Sequence, residues 1–188
     1  MMKVVVVTGT PGVGKTTVLN HSLEVVGGSY KVVNFGDVMI EVAKRDGIVE
    51  DRDDLRKQEP EVQKEIQRQA GKRIAEMALE SNIIVDTHCT IKTPKGYLPG
   101  LPVWVLEELR PDTIILVEAD PADIVSRRVG DPTRTRDAED ISMLTEHQEI
   151  NRAIAVAYSV LTGATVKLVK NNTDMLDDAA EDMAAAMR

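Results

Sequence analysis

The segment from Lys3 to about Val26 constrains this chain more than any other. A β-branched run, Lys3 to Thr8, stops at Gly9 and opens into Gly9-Thr10-Pro11-Gly12-Val13-Gly14-Lys15-Thr16, after which a helical pattern runs on until Gly27-Gly28. The run is too short for a helix, so the unit reads as strand, loop, helix. The loop matches G-x-x-x-x-G-K-[ST] at every fixed position. Gly9, Gly12 and Gly14 let the backbone wrap closely around phosphate groups with its N–H groups turned inward. A helix beginning near Lys15 adds its positive end. In such a loop the lysine reaches the β- and γ-phosphates, and the hydroxyl at Thr16 is placed to ligate Mg²⁺. A glycine-rich turn that matched by accident would not sit between a strand and a helix.

The same alternation continues along the chain. Strands are expected at Lys31 to Phe35, Asn82 to Asp86, Thr113 to Glu118 and Thr165 to Val169. Helices are expected from Gly36-Asp37 to about Lys44, from Pro60 to about Glu80, over Leu101 to Leu109, and from Asp120-Pro121 to about Val129. Two more should run from about Ala138 to Leu161 and from Met175 to Met187. Asp120 followed by Pro121 is a clean helix start. Asp46 to Asp54, Thr87 to Pro102 and the charged stretch Gly130 to Asp137 read as loops. The pattern predicts an α/β fold of the phosphate-loop NTPase type, a five-stranded parallel sheet with helices on both faces. With no repeat or linker in sight, residues 1–188 are expected to form a single domain.

Composition excludes several functions. Aromatic residues are 3% of the 188, so Val, Ile, Leu, Ala and Met must fill the core. The net charge of −8 argues against non-specific binding of nucleic acid, which depends on neutralising phosphates with Lys and Arg. The one cysteine, Cys89, supports neither a disulfide nor a four-cysteine zinc site within the chain. The apolar run Val4 to Val7 is shorter than a signal-peptide core, and no stretch approaches the ~20 apolar residues of a membrane span. The expectation is a cytoplasmic protein with no membrane or nucleic-acid partner.

Two further features bear on chemistry. Ile83-Ile84-Val85-Asp86 puts a carboxylate at the end of a buried strand, where it can support the Mg²⁺ held by Thr16. Arg127, Arg128, Arg134 and Arg136 fall in one short stretch of an acidic chain, and Arg152 lies in the next helix. Arginine grips phosphate oxygens in a fixed fork. The neighbouring Asp131, Asp137, Glu139 and Asp140 offer the plainer alternative of a solvated charge cluster.

Across its whole length the sequence resembles archaeal adenylate kinases. The likeness lies in Gly9 to Thr17, Asn34-Phe35-Gly36-Asp37, Asp86-Thr87-His88, the run Thr90 to Pro102, Thr133 to Asp137, and His147-Gln148-Glu149-Ile150-Asn151-Arg152. The resemblance implies ATP as phosphoryl donor at Gly9 to Thr17, with Arg127 and Arg128 beside it. It implies AMP near Gly36, Asp37 and Arg56, in a segment spanning about 36–80. It also implies a short arginine lid over about 127–137, Arg134, Arg136 and Arg152 acting with Lys15 on the transferred group, Mg²⁺ carried with ATP, and a homotrimer. Most adenylate kinases outside this branch have Asp-Gly-Phe-Pro-Arg after the third strand, whereas this chain has Asp86-Thr87-His88-Cys89-Thr90. His88, Lys92 or Lys95 can then take the place of the missing AMP-gripping arginine. Zinc-lid members need four metal ligands, and this lid has no cysteine. Kinases of UMP, CMP or shikimate and a nucleotide-controlled switch remain the competing readings. Cys89 has no base-and-orienter pair nearby, His21 and His147 lack metal-ligand spacing, and Trp104 reads as packing.

Overall fold

A computed structural model of the chain describes residues 2–28, 30–129 and 141–188. The fold is built outward from β1 (Val4–Gly9), every residue of which is buried. Neighbouring side chains on a strand point to opposite faces, so a strand covered on both sides reads as a continuous apolar run. Val4 and Val6 enter one core with Ile83, Val85, Ile114 and Leu116, while Val5 and Val7 enter a second with Ile84, Ile115, Val117 and Val169. Burying each valine is worth roughly 1.5–3 kcal/mol by transfer.

Among the described residues, β1 is the centre of a five-stranded sheet in the order β2–β3–β1–β6–β7. The partners are β2 (Tyr30–Asn34), β3 (Asn82–Asp86), β6 (Thr113–Glu118) and β7 (Thr165–Lys170), all parallel. The first core lies under α2 (Phe35–Arg45), α4 (Pro60–Met77), α5 (Val103–Leu109) and α7 (Ile141–Thr162). The second lies under α1 (Lys15–Val26), α6 (Pro121–Val129) and α8 (Leu176–Met187), with α8 packed along α1. The parallel sheet covered on both faces is thus present as the sequence predicts.

Three local expectations are corrected. Phe35 does not end a strand. It opens α2, because the Asn34 side chain accepts a bond from the Asp37 N–H (3.2 Å) and caps the helix one residue earlier. The loop expected over Asp46 to Asp54 contains the start of α3 (Arg52–Lys57), whose cap is Asp51, accepting from the N–H groups of Asp53 and Asp54 at 2.8 Å each. The long loop expected over Thr87 to Pro102 holds an antiparallel hairpin, β4 (Thr90–Thr93) and β5 (Gly96–Pro99), pairing Ile91 with Leu98. The predicted helix start near Ala138 and the loop from Gly130 to Asp137 lie outside the described residues. No described helix is long and apolar enough to cross a membrane.

Candidate active site

From the edge strand β2 the chain returns beside β3, then crosses over β1 to β6. The strand order therefore reverses about β1, and in open parallel sheets the crevice beyond the carboxyl ends at that reversal is where ligands bind. The phosphate loop leaves β1 there. Gly12 and Gly14 have φ of 98° and 81°, a left-handed region in which glycine carries no side-chain penalty. Gly9 has another reason: a Cβ there would stand 2.5 Å from the Val117 carbonyl oxygen.

The loop is held from behind by groups that present hydrogens to its carbonyls. Asn171, at the end of β7, donates from Nδ2 to the Val13 carbonyl at 2.8 Å. Arg127 donates to the same carbonyl at 3.3 Å and to the Asn171 carbonyl at 2.9 Å, and Arg128 donates to the carbonyl of Pro11. Both arginines belong to the last turn of α6. The structure thus brings Arg127 and Arg128 to the expected loop, gripping its backbone. The Pro11 and Val13 carbonyls are thus tied back to the scaffold, and the Val13 N–H closes the loop on the Thr10 carbonyl at 3.2 Å.

Lys15 reaches across to the neighbouring strand end. Its ammonium forms an ion pair with Asp86 and donates to the Thr87 carbonyl at 2.9 Å. The other carboxylate oxygen of Asp86 receives Asn34 Nδ2 at 3.3 Å. Thr16 and Thr17 lie exposed in the first turn of α1. The Thr16 hydroxyl and the Asp86 carboxylate are hard oxygen donors of the kind Mg²⁺ prefers, and Mg²⁺ commonly takes one or two such ligands plus substrate phosphates and water. These residues fit a nucleotide-borne Mg²⁺. Among the described residues no three His, Cys, Asp or Glu side chains converge as a metal cluster.

On the far side of β1, a cleft of about 260 Å³ opens beyond β6 and β7, lined by Glu118, Asp120, Gln148, Arg152, Lys170 and Asn172 among others. Arg152 meets Glu118 through two bonds of 2.6 Å each, and these bonds push the guanidinium pKa upward. Glu118 is buried at 3% exposure, so the Arg152 guanidinium is anchored through Nε and Nη2 while about half the side chain faces solvent. The Gln148 amide clasps Ala119 on both sides, accepting from its N–H at 3.1 Å and donating to its carbonyl at 3.0 Å.

On the β2 side, Asp37 stands in the first turn of α2 and pairs with Arg52, whose guanidinium also lies against Gly36. Arg56 is instead paired with Asp53 on its own helix at 3.0 Å, exposed to solvent. His88 is exposed just past β3. Arg134 and Arg136 lie outside the described residues. Cys89 is buried, its thiol pushed up to about 12 by burial, which agrees with the absence of any nucleophile reading. Trp104 packs at the edge of the first core, donates to Gln67 at 3.0 Å and lies beneath Lys64.

Sequence reading missed Asn171, Gln148, Glu118 and Arg52 as site residues. Two signals were available. Lys170-Asn171-Asn172 follows a strand of a parallel sheet, where ligand-facing loops gather. Polar residues at 147, 148, 151 and 152 form two i, i+4 pairs, a spacing that gives a helix two adjoining polar faces.

The reversal of strand order, the phosphate loop at it and the converging basic side chains define a phosphate-loop α/β protein. A sequence family described as an AAA domain matches residues 8–145. Two curated relatives, each named adenylate kinase, are 58% identical. The protein from Methanothermobacter thermautotrophicus aligns over 99% of this chain and 100% of its own length. That from Methanocaldococcus jannaschii aligns over 99% and 98%. The chain belongs to the archaeal adenylate kinase family. Solved structures share the fold at low identity. Shikimate kinase from Acinetobacter baumannii, in complex with shikimate, superposes with a TM-score of 0.55 at 16% identity over 97% of this chain and 91% of its own. Shikimate kinase from Bacteroides thetaiotaomicron gives 0.53 at 11% identity, covering 98% of each.

Proposed function

We propose that this protein is an adenylate kinase, converting ATP and AMP reversibly into two molecules of ADP. The observation that carries this is the 58% identity, over essentially the full length of both chains, to archaeal proteins of that name. The phosphate loop behind Lys15 is the chemistry it requires. The acceptor in this reaction is a phosphate oxygen, largely ionised near neutral pH because the second phosphate pKa is about 6. No general base is needed, and the protein's work is to align two polyanions, exclude water and neutralise charge on the group in flight.

In this reading Gly9 to Thr17 bind ATP, and Lys15 exchanges Asp86 and Thr87 for the β- and γ-phosphates. Thr16 and Asp86 would hold a Mg²⁺ arriving with the nucleotide, which would supply charge neutralisation. Arg152, fixed by Glu118, faces the transferred group together with Arg134 and Arg136 of a lid over about 127–137. AMP occupies the segment 36–80 and the loop after β3, contacting Gly36, Asp37, Arg56 and His88, and we add Arg52 because it is the arginine seated against Gly36. The chain acts as one domain, in the cytoplasm, as a homotrimer. Light scattering on the eluting peak is expected to give a mass near three chains, and a monomer at all concentrations refutes the assembly.

The test of the reaction is an acceptor panel. With Mg²⁺-ATP, the purified protein should turn over AMP far faster than UMP, CMP, GMP or shikimate, and should leave ATP intact when no acceptor is present. A preferred acceptor other than AMP, or steady ATP hydrolysis without one, rejects the assignment.

A further inference from the structure

A chain of buried hydrogen bonds runs from the β4–β5 hairpin through α7 to the phosphate loop. His147 Nε2 lies 3.1 Å from Thr90 Oγ1, Thr90 donates its hydroxyl to Asn151 Oδ1 at 2.6 Å, and Asn151 Nδ2 donates to Thr10 Oγ1 at 3.2 Å. Thr10, Thr90, His147 and Asn151 are 2%, 4%, 5% and 1% exposed. Thr90 has a single hydroxyl proton, already given to Asn151, so His147 must donate from Nε2. All three bonds therefore run in one sense, toward Thr10, and such chains reinforce one another in a low-dielectric interior.

Apolar side chains would fill this space at no desolvation cost, whereas buried polar groups are expensive unless every one finds a partner. The bonded pair ends are informative. Thr10 is the second residue of the phosphate loop. Thr90 begins the hairpin, whose two ends are closed on each other by the Gly100 N–H donating to the Cys89 carbonyl at 2.8 Å. Cys89 is tied to α7 as well, its thiol donating to the Asn151 carbonyl at 3.3 Å and its own carbonyl accepting the Tyr158 hydroxyl at 2.9 Å. The hairpin base thus cannot move independently of α7. Two residues before Cys89 stands Thr87, whose carbonyl holds Lys15. Lys15 bridges the phosphate loop and the loop after β3, and the buried chain joins the same two loops through Asn151 of α7.

We propose that Thr90 and Asn151 are positioning residues for the phosphoryl transfer: they fix the phosphate loop against the loop after β3, and so hold ATP bound at the one in register with the acceptor bound at the other. The proposal rests on the adenylate kinase reading above. Neither residue need touch substrate, and their loss should alter alignment more than ATP binding.

Thr90→Val has the same shape without the hydroxyl, and Thr90→Ser retains it. Steady-state kinetics in both substrates, with thermal melting as the control, separates alignment from folding. Thr90→Val is expected to lower kcat by about tenfold, the KM for ATP changing by less than about twofold, while Thr90→Ser keeps most of the wild-type rate; misplacing reacting groups by a fraction of an ångström has effects of this size. Asn151→Leu should behave as Thr90→Val does, and the double variant should lose no more than the worse single one, because both cut one chain. If Thr90→Val does not fold, Asn151→Ser, too short to span Thr90 and Thr10, carries the same comparison. A wild-type kcat in the variants, equal losses in Thr90→Ser and Thr90→Val, or losses that multiply in the double variant overturn the proposal. Failure of the wild-type protein to phosphorylate AMP would instead reject the reading on which it rests.

Discussion

Glu118 is a carboxylate almost closed off from water, and its partner Arg152 is half in solvent. Removing the arginine strands a buried charge, which costs ~3–5 kcal/mol where both partners are buried. Here water can enter beside the vacated guanidinium, so the expected cost is smaller, about 2 kcal/mol. Arg152→Met should shift the urea midpoint accordingly. Adding Glu118→Gln should restore more than half of the loss, since the amide keeps the shape and removes the stranded charge. Equal stability of the single and double variants would mean that the Glu118 carboxylate carries no penalty once Arg152 is gone. Turnover is a separate matter: in the proposed mechanism neither variant recovers it, because the group facing the phosphates is gone in both. This separates the anchoring of Arg152 from its use.

At the scale of elements the hairpin is the most exposed to a single change. Gly100 sits where its chain passes against the backbone of His88 and Cys89. A Cβ there would collide with the His88 carbonyl oxygen and stand 2.7 Å from its carbon and 3.0 Å from the Cys89 oxygen. These are backbone atoms, so no side chain can swing aside. Gly100→Ala should cost about 3 kcal/mol in urea unfolding, the range reserved for strain that the structure cannot relax. Gly96, where β5 leaves the turn, has φ of 124° but open space around it, so Gly96→Ala bears only conformational strain of about 1–2 kcal/mol. The reverse order of costs would refute the close approach at Gly100. The hairpin was illegible in the sequence because Pro94, Gly96, Pro99, Gly100 and Pro102 punctuate it as they would a loop. An isolated pair of short strands carries no strong alternation, and this one is held by tertiary bonds to α7. The five long strands were legible because each is a β-branched run between turn residues. The phosphate loop was legible because its glycines and Lys15 act locally. The opposite holds for Asn171, Asn151 and Glu118, which matter through partners more than thirty residues away in the chain. The α3 helix had a readable signature, with Asp51 as cap, Asp53 and Asp54 in the first turn and Arg56 and Lys57 in the last, in accord with the helix dipole.

For the molecule as a whole, the acidic excess and the way individual aspartates are used make opposing demands on stability as pH falls. The formal net charge is −8 at pH 7, and the isoelectric point lies near 5.0. Acidifying from pH 7 toward 5 therefore reduces self-repulsion, and stability should hold or rise slightly in that range. Below it the aspartates decide. Asp51 is held below the usual carboxylate range by the backbone N–H of Asp54, Asp123 by that of Thr173, and Asp46 by the side-chain bond from Arg45. In each case the folded pKa is depressed, so the stability it contributes is fully present above the unfolded value of about 3.9 and is lost as pH drops through the folded one. The expected profile of melting temperature is a plateau from pH 7 to about 5 and a fall that begins near pH 4. Asp51 caps α3, and Asp123 fixes Thr173 in the loop after β7. Asn at either position keeps a polar cap without a titrating charge. Asp51→Asn with Asp123→Asn should therefore start from a lower plateau and fall less steeply below pH 4. A double variant with the wild-type slope would show that acid unfolding is governed by other carboxylates, and that these two bonds are made equally well by the protonated acid.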